Sequence, residues 1–101
     1  MQFVLDIVSN LEELRHAGAA FLVVDLETAI TFTHLALSSK DPAVIDRNRR
    51  NALKAYHSVS NLASKSYLNE VEAKAVSTLL GQLKEKLALL GEDVGPTVST
   101  E

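Results

Sequence analysis

The sequence predicts an all-α fold: an up-down antiparallel helical bundle of three long helices plus an N-terminal helix, at about 3–17, 19–38, 42–64 and 70–90. Three observations carry this. Sixteen Leu and 12 Ala against four Gly and two Pro favour helix over sheet and leave long uninterrupted stretches. Apolar residues recur at helical spacing in every segment. Two strong helix-start signals, at Asp41-Pro42 and at Asn69, follow short connections, so consecutive helices are expected to be antiparallel neighbours.

In the first segment Val4, Ile7, Val8, Leu11 and Leu14 form one stripe. Gly18 follows, and a break there is expected, with Gly18 as a C-cap or kink. The alternative is a single helix of about 55 Å at ~1.5 Å per residue, long for so small a domain. In the second segment Leu22, Asp25, Ala29, Phe32 and Ala36 share a face by 100° arithmetic. Only Glu27, Thr31, His34 and Ser38 form a polar strip, so this helix is expected to be the central one. Asp41 can cap the third helix, with Pro42 at its first position. Its inner face carries Ile45, Ala52, Tyr56, Val59 and Ala63. Asn69 caps the fourth, with Glu72 at the capping-box position. Val76, Leu79, Leu80, Leu83, Leu87 and Leu90 make its stripe, and Gly91 ends it. One domain, 1–91, is expected, followed by a disordered tail, 92–101, which has no periodicity.

Composition narrows the function. The net charge of -3 argues against a nucleic-acid partner. Without Cys there is no disulfide framework, thiolate nucleophile or Cys-ligated zinc, which fits a reducing compartment. The N-terminus lacks the basic flank and continuous apolar core of a signal peptide. No stretch reads as about 18 consecutive apolar residues. A soluble, cytoplasmic protein without membrane contact is the expectation.

Asp25 is the most informative residue. It interrupts the apolar run Phe21-Leu22-Val23-Val24-Asp25-Leu26, where a carboxylate must find partners or change its charge state. A hairpin about residues 40 and 41 puts residue 25 opposite residue 56 and residue 32 opposite residue 49. The expected network has Asp25 accepting from the Tyr56 hydroxyl, with Arg49 or Thr28 as further donors. Its leading role is to set helix register; the second is the floor of a catalytic or ligand site.

Other candidates carry blander readings beside the chemical one. Glu13-Leu14-Arg15-His16 has the Glu-x-x-His spacing of di-metal bundles, but it occurs once and points off the apolar stripe. Glu27 and His34 lie about 10.5 Å apart along one helix and cannot chelate one ion together. No metal site or cofactor is expected, and no nucleophile–base arrangement is visible. Arg47, Arg50 and Lys54 form a basic surface candidate that could meet phosphates or an acidic partner. Asp41 and Asp46 nearby make an ordinary charged face the simpler reading.

The stretches Asp25-Leu26-Glu27-Thr28-Ala29-Ile30-Thr31-Phe32 and Arg49-Arg50-Asn51-Ala52-Leu53-Lys54-Ala55-Tyr56 resemble short uncharacterised bacterial helical proteins. Ala52, Tyr56 and Val59 are similar to the second helix of a tetratricopeptide hairpin. The resemblance covers residues 25–62. It departs from the repeat in helix length, in lacking the Trp-Leu-Gly-Tyr pattern and in having a single copy. It implies a helical hairpin and partner binding, and it carries no functional residue with it.

Together these features predict a small cytoplasmic interaction or structural module rather than an enzyme. The apolar surface left over, with Phe3, Leu5, Val24, Leu35 and Leu89 outside the stripes, predicts homodimerisation or another protein partner, through the N-terminal helix or the central one. The alternative is a ligand-binding or enzymatic bundle centred on Asp25 and Tyr56.

Overall fold

The computed structural model describes the backbone of residues 2–94 and the side chains of residues 18–94. Three helices, α1 (Gln2–Ser38), α2 (Pro42–Lys65) and α3 (Glu70–Leu89), pack against one another, and there is no strand among the described residues. The all-α bundle is therefore as predicted, but the separate N-terminal helix is not. The helix runs straight through Gly18, so α1 has 37 residues, about 55 Å at ~1.5 Å per residue. That nearly fills the 60 Å long axis of the molecule. The physical reason is magnitude: a Gly inside a helix costs only ~1 kcal/mol relative to Ala. A Cβ at Gly18 would meet nothing within 4 Å, so packing does not require Gly there either. The predicted stripe at Val4, Ile7, Leu11 and Leu14 lies outside the described side chains.

The start of α2 follows its sequence signal. The Asp41 carboxylate accepts from the Ala43 N–H at 3.0 Å, and Pro42 occupies the first turn. At the start of α3 the Asn69 side chain accepts from Glu72 N–H at 2.8 Å while Glu72 accepts from Asn69 N–H at 3.0 Å. This reciprocal capping satisfies two donors that the helix itself leaves unpaired. Gly91 follows the end of α3 with φ +89, a backbone conformation that only Gly adopts without strain.

The core holds Leu22, Leu26 and Ala29 of α1, Ala52, Tyr56 and Val59 of α2, and Val76, Leu83 and Leu87 of α3. On α1 the buried positions are Ala19, Leu22, Leu26, Ala29, Thr33 and Ala36, a strict alternation of three and four. Four of these six positions carry small residues, Ala19, Ala29, Thr33 and Ala36. Thr33 and Asn48, the two buried polar residues among the described ones, are each satisfied within their own helix. Thr33 Oγ1 donates to the Ile30 carbonyl at 2.6 Å, and Asn48 Nδ2 to the Val44 carbonyl at 2.9 Å. They enter the core without an unpaired polar atom.

The predicted tail begins as part of the bundle. Glu92 reaches back to Arg49, and Val94 packs against the core. Residues 95–101 lie outside the described residues.

Candidate functional site

The core stripe of α1 is rotated from the predicted face. Leu26, Thr33 and Ala19 belong to it, and its centre falls about 70° from Asp25 by helical arithmetic. Asp25 therefore sits on the flank of α1, half-buried. Among the described residues it has no hydrogen bond or ion pair, so the network with Tyr56, Arg49 and Thr28 does not form. Tyr56 is buried beside Ala52 and Val59, with its ring edge-on to His57. No buried side-chain nitrogen or oxygen lacks a partner among the described residues. The Tyr56 hydroxyl, with no partner among those residues, must therefore emerge at the surface. Thr28 lies on the exposed side of α1.

Arg49 is claimed by other acids. It bonds Asp46 at 2.5 Å and pairs with Glu92 beyond the end of α3, while Arg50 Nε meets the other Asp46 oxygen at 3.0 Å. The Arg49 hydrogen bond, with help from Arg50, holds the Asp46 carboxyl below its ordinary value. Arg49 thus ties the α2 start to the α3 end instead of reaching α1. Sequence reasoning misses Glu92 because it follows the last helical residue, where periodicity gives no direction.

Arg47, Arg50 and Lys54 are all exposed and lie within about 60° of one another on the side of α2 away from the core. With Arg50 tied to Asp46, this is a solvated charged face. A shallow cavity of about 250 Å³ lies between Lys84, Ala88 and the turn Gly91–Val94. Neither Asp25 nor Tyr56 lines it.

The feature the structure adds is the outer face of α1. Phe21, Val24 and Leu35 are 63%, 56% and 48% exposed, and Thr28 and Thr31 lie between them, also exposed. Positions 21, 24, 28, 31, 35 and 38 alternate by three and four, as the buried positions do, on the opposite side of the helix. The polar atoms on this face are largely turned inward. Thr31 Oγ1 donates to the Glu27 carbonyl at 3.1 Å, and Ser38 Oγ to the Leu35 carbonyl at 3.3 Å. A signal for this second seam is present in Val24 and Leu35, the residues that fit no stripe.

Segment 18–38 also meets the length and composition of a membrane-crossing helix, against the sequence expectation. Ala, Thr, Ser and Gly dilute its apolar residues, which hides its length from a search for consecutive apolar positions. The same segment carries the inner seam and both Asp25 and Glu27, and 28% of its apolar stretch is buried within the bundle.

No family model, no curated protein and no solved structure matches the chain.

Proposed function

We propose that this chain is a small helical interaction module that works by associating with itself. The observation that carries the reading is the line of bulky apolar side chains, Phe21, Val24 and Leu35, on a face of α1 that α2 and α3 leave open. Aligned apolar residues on one exposed face mark an interaction site more strongly than the same residues scattered singly. The resemblance of residues 25–62 to a tetratricopeptide hairpin agrees with a binding role. A cytoplasmic location is part of the proposal, supported by the absence of Cys, which fits a reducing compartment. A catalytic role for Asp25 and Tyr56 draws no support from their placement, since among the described residues neither bonds the other and the cavity at Lys84 and Ala88 is lined by neither.

Sedimentation velocity over a concentration series tests the reading. A weight-average mass rising from one chain towards two supports it. A strict monomer at several hundred micromolar, roughly several hundredfold above a micromolar Kd, overturns it.

A further inference from the structure

We propose that α1 pairs with α1 of a second copy of this chain in antiparallel orientation, about a two-fold axis lying between residues 29 and 30. This deepens the self-association reading and rests on it.

The spacing of the outer face supplies the geometry. Positions 21, 28 and 35 and positions 24, 31 and 38 are the two core positions of a heptad repeat. In an antiparallel pair, each position of one set faces the other set on the partner helix. The two-fold then stacks Val24 on Leu35 of the second copy, Thr28 on Thr31, and Phe21 on Ser38, each twice by symmetry. Thr31 and Ser38 bond their own backbone carbonyls, so their hydroxyls are already satisfied when water is excluded.

Charge selects this register over its neighbours. Glu27 and His34, both exposed, flank the seam on one side. About the stated axis, Glu27 of each copy lies beside His34 of the other, giving two acid–imidazole contacts. Sliding the partner by one heptad towards the N-terminus sets Glu27 against Glu27 of the second copy. Sliding it the other way sets His34 against His34 and carries Glu27 past Ser38, where α1 ends, so it meets no imidazole. A parallel pair sets Glu27 beside Phe32 and leaves His34 without an acid. Glu27 against Glu27 is a like-charge pair that disfavours its register, whereas an imidazole N–H of His34 can donate to the Glu27 carboxylate. The two residues that could not share one metal ion, because they lie seven apart on one helix, are spaced to meet across this axis. On the other flank Asp25 comes beside Phe32 of the second copy, at the rim, where its carboxylate stays in water.

The contact is small. Eighteen residues span about 27 Å, and a helix is about 10 Å wide. That is well under the ~800 Å² per partner of a standard interface, which places the dimer among weak, transient ones.

The absence of native Cys makes the register directly readable. Val24→Cys and Leu35→Cys are prepared separately, then oxidised alone and as an equimolar mixture, at a concentration where sedimentation shows wild-type dimer. The expected product is the mixed disulfide, joining position 24 of one chain to position 35 of the other, at least several-fold over either symmetric one. A predominant symmetric product, joining position 24 to position 24, means a parallel pair and overturns the proposal. A sedimenting dimer with no cross-link at either position places the contact elsewhere and overturns it, while leaving self-association standing. A monomer overturns both. As an independent check, Glu27→Lys is expected to weaken association at least threefold, and Glu27→Lys with His34→Glu to restore it. Failure of the double variant to recover contradicts the register.

Discussion

The inner and outer faces of α1 share the same alternation of three and four, yet one is sealed and the other open. The inner seam is built from Ala19, Leu22, Leu26, Ala29, Thr33 and Ala36; the outer one from Phe21, Val24, Thr28, Thr31, Leu35 and Ser38. Size separates them. Three Ala line the inner face beside Leu22, Leu26 and Thr33, whereas the outer face has no Ala and carries Phe21. Within one helix, the same periodicity marks both a sealed face and an open one, so periodicity alone does not say which face the bundle covers.

The largest expected difference between the faces is in stability. Leu26 is fully buried, so Leu26→Ala is expected to cost ~2–5 kcal/mol, the range for truncating a core Leu. Leu35→Ala, on the outer face, should change the stability of the monomer by less than ~0.5 kcal/mol. Urea denaturation at a concentration where the protein is monomeric separates the two; equal losses would mean that the outer face is core.

Gly18 comes next, because it stands just before both seams and decides whether α1 is one helix or two. With nothing within 4 Å of an added Cβ, Gly18→Ala is expected to raise stability by ~0.5–1 kcal/mol. If Gly18 instead terminated a helix in a left-handed conformation, the same change would lower the thermal midpoint.

The polar ties outside the seams should matter less. Arg49 and Glu92 are partly exposed, so Glu92→Gln is expected to cost no more than ~1 kcal/mol. The Asp46 carboxyl, held below its ordinary 3.8 by Arg49, binds protons less readily folded than unfolded. Its contribution is therefore present above that value and is lost as pH falls through the lower folded one. Asp46→Asn should remove this part of the acid dependence in a pH series of urea midpoints.

The smallest effect is expected at Asp25. On the flank, half-buried and without a partner among the described residues, it should tolerate Asp25→Asn within ~0.5 kcal/mol. A loss of several kcal/mol would restore the buried network that the sequence suggests.

Much of this fold is legible in the chain because its signals are local. Asp41-Pro42 and Asn69-x-x-Glu72 mark two helix starts with chemistry confined to a single turn, and Gly91 marks an end in the same way. The face of α1 is harder to phase. A helix with apolar residues nearly all round offers no polar strip wide enough to point away from, and placing Asp25 at the centre of the face turns it by about 70°. Thr33 escapes notice because its hydroxyl is satisfied by Ile30, inside its own helix, so burial costs it little. Glu92 escapes because its partner Arg49 is 43 residues away and no spacing rule connects them.

Val24→Glu places a charge in the outer seam while leaving the inner one untouched, and its molar mass by sedimentation, measured alongside its thermal midpoint under monomeric conditions, decides whether that seam is an interface. The expected result is a concentration series flat at the mass of one chain, against a rising series for the wild type, with the two midpoints alike. A variant that associates as the wild type does would contradict the account.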